Sequence, residues 1–368
     1  GGSEVGFPCA VEPDGETKTV RVRSGGDPVE RVLAGQAADA ATALAEVKDF
    51  AFDGVFPMDA QQRDVFLGVG LPVLRECLKG FNGTILAYGQ TGSGKTHSLL
   101  HRGQKSDDAG LLPRLVASLF VLVAQDSANV YDIEAAAVQV YNEQIDDLLH
   151  AEHRQGGGQN LGVRDGGLVP GLTWIACKRP DQMLEAFTSA RANVVYAETK
   201  MNKASSRSHA IFQLRISKRR RATEAAAQGG APTHMECTQA RLSVVDLAGS
   251  ERVKKSGAQG QRMREGQNIN QSLSVLGQVI SKLAKGKSGR EHVPFRQSKL
   301  TYLLTDALSG NSRTLMVAAI SPALSEAEET LGTLRFASSV KKIRTVAVQN
   351  EQDVVQSDML LQTMRSEA

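Results

Sequence analysis

Eight consecutive residues, Gly89-Gln90-Thr91-Gly92-Ser93-Gly94-Lys95-Thr96, match the phosphate-binding pattern GxxxxGK[ST]. Their flanks read as the strand and helix that such a loop must join. Gly83-Thr84-Ile85-Leu86-Ala87-Tyr88 is a short buried strand by pattern, and His97-Ser98-Leu99-Leu100 begins a helix. A glycine-rich turn in that position aims bare backbone N–H groups and the positive end of a helix at one anion. Lys95 adds a point charge at the β- and γ-phosphates of a nucleotide. The Thr96 hydroxyl suits Mg²⁺, which dehydrates reluctantly and takes few protein oxygens.

With 368 residues, 41% of them hydrophobic, the chain can bury the core of one large α/β domain with inserted loops. Cys9, Cys77, Cys177 and Cys237 are scattered without a CxxC pair, which predicts a reducing, intracellular setting and no zinc site. No apolar run approaches the ~20 residues of a membrane span and no charged-then-apolar leader opens the chain, so the expectation is a soluble protein with no membrane partner. Residue 1 reads as an internal boundary. The net charge of +3 is too small for a uniformly basic nucleic-acid binder, so an acidic partner has to be met by local clusters.

Along the chain, residues 10–16 and 19–22 read as a hairpin around a Pro-Asp-Gly turn, followed by an Ala/Gly-rich insertion over 24–45. Strand character is predicted at 52–56, 138–143, 210–216, 242–246 and 314–320. Helices are predicted at 64–78, 182–195, 266–284, 298–309 and 326–342. The stretch 218–240, basic at its start through Lys218-Arg219-Arg220-Arg221 and then Ala/Gly/Pro-rich, reads as a solvated hairpin loop. Alternating strands and helices predict an α/β fold of the P-loop NTPase type. It is a three-layer sandwich with a central, mixed but mostly parallel sheet and helices on both faces.

A nucleotide switch also needs groups that sense the γ-phosphate, carried on later loops. Two stretches qualify. One is Asn202-Lys203-Ala204-Ser205-Ser206-Arg207-Ser208-His209, running into an apolar strand. The other is Asp246-Leu247-Ala248-Gly249-Ser250-Glu251, where an apolar strand ends in Asp and a glycine follows three residues on. A strand-end Asp holds a Mg²⁺ shell, and a DxxG backbone amide bonds a γ-phosphate and moves when it leaves. An Arg and a Glu on separate loops meet only when both loops close, which makes closure the condition for hydrolysis.

These stretches in this order, continued by Arg252-Val253-Lys254-Lys255-Ser256-Gly257, by His292-Val293-Pro294-Phe295-Arg296-Gln297-Ser298-Lys299-Leu300-Thr301 and by Leu334-Arg335-Phe336-Ala337-Ser338, resemble the kinesin motor domain over roughly residues 50 to 350. The resemblance implies ATP/ADP and Mg²⁺ as ligands on Gly89 to Thr96, with His97 against the adenine. It places Ser205 and Ser206 at the γ-phosphate and the Mg²⁺ water shell, Asn202 organising the site, and Gly249 sensing the γ-phosphate. Thr96, Ser206 and Asp246 would serve the metal, partly through water, and Arg207 and Glu251 would form the closing ion pair. The implied partner is tubulin in the microtubule, met by a basic surface. That surface includes Lys254, Lys255, Arg264, Asn270, Lys285, Lys287, Arg290, His292, Arg296 and Lys299, on the helix over 268–284, its flanking loops and the helix from Ser298.

The resemblance further implies a motor core at 51–342 after a truncated or inserted N-terminal part at 1–50. A neck-linker-like segment at 343–353 would carry Asn350 as its latch, and 354–368 would start a neck or stalk helix able to dimerise beyond residue 368. It predicts a microtubule-stimulated ATPase of the cytoplasm and cytoskeleton, moving toward plus ends. The alternatives are a microtubule-binding module with little motility, or another switch ATPase such as myosin, against which the Leu-Ala-Gly-Ser-Glu continuation argues. Three departures from the family pattern stand out. The Arg-x-Arg-Pro adenine strand is not recognisable, since Val20-Arg21-Val22-Arg23 runs into Ser24, and its true counterpart is expected before residue 1. Val194 replaces an Arg, and Gln271 and Tyr302 stand where basic residues are common, an expected weakening of microtubule affinity.

Overall fold

Strand β4 (Gly83–Tyr88) sends Ile85 and Ala87 into one apolar cluster and Leu86 into another, the period-two signature of a strand covered on both sides. The computed structural model describes residues 11–24, 46–103, 106–150, 160–200, 208–220, 236–251, 261–286 and 292–353. Its central sheet has the order β10-β4-β9-β8-β5-β6, built from β5 (Asn129–Tyr141), β6 (Gln144–Asp147), β8 (His209–Arg220), β9 (Glu236–Asp246) and β10 (Arg313–Ala318) around β4. The short β7 (Ile175–Ala176) pairs with β5, and β11 (Glu351–Asp353) with β9.

Helices cover both faces. On one side α1 (Gln62–Val65) runs through a π-helical turn (Phe66–Gly70) into α2 (Leu71–Leu78), joined by α3 (Lys95–Leu100), α4 (Leu111–Gln125) and α5 (Pro180–Lys200). Leu111, Leu112, Leu115, Val116 and Leu119 recur at helical spacing along α4 and form the stripe that meets the sheet. On the other side lie α6 (Gln261–Ala284), α7 (Lys299–Leu303) and α8 (Thr305–Ser309), with Val275, Leu276, Val279 and Ile280 giving α6 its buried stripe. The three-layer sandwich and the mixed sheet are therefore as expected.

The balance of strand directions differs from expectation. Among the described residues, parallel pairing is confined to β10·β4 and β4·β9, whereas β9·β8, β8·β5 and β5·β6 are antiparallel. The cause lies partly in the hairpin expected around 218–240, whose strands run antiparallel and are longer than expected: β8 and β9 pair from Ala210↔Asp246 out to Arg219↔Cys237. Residues 218–220 and 236–240, expected in a loop, thus belong to strands. Their polar character marks cross-strand partners at a solvated end, as where Gln239 Nε2 donates to Ser217 Oγ at 3.1 Å. Residues 221–235 lie outside the described residues. The helix expected over 298–309 is broken at Leu304 into α7 and α8.

A smaller antiparallel sheet, β1 (Val11–Asp14), β2 (Thr19–Ser24) and β3 (Glu46–Ala51), packs Val11, Val20 and Val22 on Ala327, Leu331 and Leu334 of α9 (Ala327–Val340). Its hairpin is as expected, with Asp14 Oδ1 accepting the N–H groups of Glu16 and Thr17. The third strand is Glu46–Ala51 rather than 52–56. It is set by pairing with β2, where Arg21 opposes Asp49 and donates to it at 2.9 Å, and not by apolar content. Residues 20–23, which look like an adenine-binding strand, lie in this small sheet and not in the central one.

Candidate functional site: a phosphate loop laced to the end of β9

The parallel register of β4 and β9 sets Ala87 opposite Asp246, so the loop that leaves β4 and the segment that leaves β9 emerge side by side. Gly89, Gly92 and Gly94 take φ values of 152°, 82° and 101°, which curl the loop back onto the start of α3. Lys95 is buried and its Nζ donates to the carbonyls of Gly89 and Gln90, both at 2.8 Å. Burial lowers its pKa, while Asp246 and Glu251 pull it back up. Ser93 Oγ closes the loop on Gln90 O at 2.9 Å.

Thr96 Oγ1 donates to Asp246 Oδ2 at 2.7 Å, whereas Asp246 Oδ1 is buried with no hydrogen-bond partner. Burial raises the pKa of this carboxyl against the pull of Thr96 and Lys95. A buried carboxylate oxygen without a donor beside a threonine hydroxyl is the oxygen-rich, ligand-poor set that suits Mg²⁺. No cluster of three His, Cys, Asp or Glu side chains fit for another metal occurs among the described residues.

Past Asp246 the chain is stitched to the phosphate loop. Ser250 N–H donates to Gly89 O at 3.1 Å. The Glu251 carboxylate accepts the Thr91 N–H at 2.8 Å and the Thr91 hydroxyl. Gly249 lies between them, and a Cβ there would collide with both the Glu251 carboxylate and Thr91 Oγ1. His209 joins this segment to the opposite helical layer: its Nδ1 accepts the Ala248 N–H at 3.0 Å and its Nε2–H donates to Ser272 Oγ of α6 at 2.9 Å. Burial, then the Lys95 charge, push its pKa down to about 3, so the imidazole is neutral. Its place in the run 202–209 was visible in the sequence. Its two partners, on distant segments, were not.

His97 is held through Nδ1 by Gln62 Nε2 at 2.9 Å and stacks on His101 with ring centres 4.7 Å apart. Burial lowers its pKa first, and His101 adds to this. Asn202, Ser205, Ser206 and Arg207 lie outside the described residues, as do Lys254, Lys255, Lys287 and Arg290. Arg264 and Asn270 fall on α6 by backbone alone. Lys285, His292 and Arg296 are exposed and Lys299 is half-buried. Two acidic residues absent from the sequence expectations organise this region. Glu143 accepts Ser298 Oγ at 2.8 Å and the Lys299 N–H at 2.6 Å, and Asp165 accepts Arg296 Nη2 at 2.8 Å.

The C-terminal described segment returns along the sheet. Asn350 Nδ2 donates to Gly80 O at 3.2 Å and to Asn82 Oδ1 at 3.0 Å, and Asn350 Oδ1 accepts Asn311 Nδ2 at 2.6 Å. Asn311 Oδ1 also accepts the Val348 N–H, and β11 extends the sheet beyond. Residues 354–368 lie outside the described residues. No described helix is long and apolar enough to cross a membrane.

A profile of the kinesin motor domain matches residues 16–343. Curated relatives include the chromosome-associated kinesin KIF4 of Xenopus laevis, 39% identical over 311 residues, covering 82% of this chain and 24% of that protein. Another is the kinesin-like protein KIF13A of Mus musculus, 41% identical over 321 residues, covering 83% of this chain and 18% of that protein. The chain thus spans about a quarter or less of these relatives' length. Among solved structures, one of a fast kinesin superposes with TM-score 0.78 at 34% identity, covering 95% of this chain and 90% of that one. A KIF14 dimer bound by two heads to a microtubule with AMP-PNP gives 0.78 at 32% identity, covering 96% and 94%.

Proposed function

Because the chain belongs to the kinesin motor-domain family, we propose that it is an ATP hydrolase stimulated by microtubules, whose linker turns hydrolysis into movement toward plus ends. The observation that carries this reading is the stitching of the 246–251 segment to the phosphate loop, through Thr96 to Asp246, Ser250 to Gly89 and Glu251 to Thr91. A group bound on the loop and a segment that leaves β9 are thereby mechanically one unit. The AMP-PNP and microtubule bound by the similar KIF14 dimer support nucleotide and tubulin as ligands here.

In this reading the backbone of residues 89–94 and Lys95 cradle the phosphates, and His97, backed by His101, meets the base. Thr96, Asp246 and Ser206 would hold Mg²⁺, which when bound would supply neutralisation of phosphate charge. Gly249 offers its N–H to the γ-phosphate, with Asn202 and Ser205 completing the pocket. Glu251 exchanges Thr91 for Arg207 as the loops close. The pair orients the attacking water, because the transition state is loose and positioning supplies most of the rate. Residues 51–342 form the motor core. Residues 343–353 form the linker, 354–368 begin a neck or stalk through which longer chains dimerise, and the protein works on cytoplasmic microtubules.

Gliding tests the directional part. With protein attached to a surface through its C-terminus, polarity-marked microtubules are expected to move with minus ends leading, as plus-end motors drive them. Movement with plus ends leading overturns the assignment of 343–353 as a plus-end-directing linker.

A further inference from the structure

Residues 164–168 fold into an Asp-Gly-Gly turn closed by Arg164 N–H to Leu168 O at 2.8 Å and Gly167 N–H to Arg164 O at 3.1 Å. Gly166 and Gly167 both have left-handed φ, 75° and 68°, and a Cβ on Gly167 would collide with the Leu303 carbonyl of α7. The turn is therefore seated directly on the α7–α8 joint. From the sheet side Arg241, itself paired with Asp306 at 3.2 Å, donates to the Gly166 carbonyl at 3.2 Å. Backbone, packing and a mostly buried guanidinium together fix where Asp165 stands.

Asp165 Oδ1 accepts two donors from one short stretch of chain, Arg296 Nη2 at 2.8 Å and the Tyr302 hydroxyl at 2.9 Å. The Arg296 guanidinium also lies 5.4 Å from the centre of the Tyr302 ring. Arg296, first, and Tyr302 hold the Asp165 carboxyl below its ordinary pKa. The clip is solvated, with Asp165 82% and Arg296 68% exposed at the side chain. Tyr302 stands where a basic side chain was expected, and here it anchors the acid that engages Arg296.

We propose that Asp165 is a built-in competitor for tubulin's acidic side chains, holding Arg296 and Tyr302 in a clip that keeps microtubule affinity below what the basic residues alone would give. The inference rests on the microtubule-binding reading above. An exposed ion pair by itself is weak and opens readily. The restraint arises because Asp165 cannot follow. When Arg296 turns to a tubulin carboxylate, Asp165 stays on its rigid turn, held by the neutral Tyr302 hydroxyl but without its countercharge, facing an acidic surface, and like charges across an interface oppose association.

A four-protein cycle in microtubule co-sedimentation at low ionic strength tests this: the parent, Asp165→Asn, Arg296→Ala and the double variant. Asparagine keeps an acceptor and a turn-forming side chain at this position, so the fold is preserved. Asp165→Asn is expected to tighten Kd about three- to tenfold, a gain that shrinks as salt is raised. Arg296→Ala, which removes a side chain of the binding surface, is expected to weaken binding in the parent, and Asp165→Asn is expected to give little further gain in that background. Unchanged affinity for Asp165→Asn overturns the proposal. So does a gain that survives loss of Arg296, which reduces the effect to general charge removal. If the parent itself fails to pellet with microtubules, the functional reading falls and the clip with it.

Discussion

Replacing Glu251 with alanine is expected to lower microtubule-stimulated ATP turnover at least about 100-fold while leaving nucleotide affinity close to that of the parent. The carboxylate touches the phosphate loop only through Thr91, by the N–H at 2.8 Å and the hydroxyl. Both donors are solvent-exposed and rehydrate when Glu251 is truncated, so the cost to folding is about 1 kcal/mol or less. The cradle itself, formed by the loop backbone and Lys95, does not depend on Glu251. Lys95→Ala supplies the contrast. It removes the buried ammonium that bridges the Gly89 and Gln90 carbonyls, and nucleotide affinity should fall before turnover at saturation does. Fluorescent-nucleotide titration beside steady-state turnover separates the two, and a Glu251→Ala protein that turns over like the parent removes Glu251 from the closing pair.

Asn350→Ala is expected to abolish or severely slow gliding while microtubule-stimulated ATP turnover persists. The side chain makes hydrogen bonds to Gly80 O, Asn82 Oδ1 and Asn311 Nδ2. At about 1 kcal/mol each, their loss shifts linker docking by about 2–3 kcal/mol, or roughly 30- to 150-fold in population. The attachment that remains includes the backbone bonds from Asn350 N–H to Gly80 O and from Gln239 N–H to Asn350 O, the Val348 N–H to Asn311 Oδ1 bond, the Thr345 Oγ1 to Ser312 O bond and the short β11 ladder. Val346 and Val348 are 79% and 59% exposed and bury too little apolar surface to compensate. Gliding at parental speed would show that these hydrogen bonds do not control movement.

What the sequence revealed followed from how local each feature is. The phosphate loop is a contiguous motif between a buried strand and a helix, and β4 and α3 lie where periodicity puts them. The two faces of the sandwich follow from alternation in the strands and from the helical stripes in α4 and α6. Strand direction was less legible, because the β8–β9 hairpin ends in polar residues whose ladder partners, such as Lys218↔Thr238, are set by pairing and not by hydropathy. The polar contacts of the site were hidden for a related reason. Glu251 meets Thr91 across 160 positions and Asp165 meets Arg296 across 131, and no single-segment pattern encodes such a meeting. Only the consecutive glycines 166 and 167 signalled that Asp165 sits at a tight turn.

Steady-state ATP turnover with and without microtubules tests the central claim most directly. The Asp246 to Glu251 segment bonded to the phosphate loop links the nucleotide to the surface beyond it, so turnover is expected to rise steeply and saturably with microtubule concentration, and less so as salt is raised. Turnover equal with and without microtubules, in protein shown to bind ATP, would contradict the account.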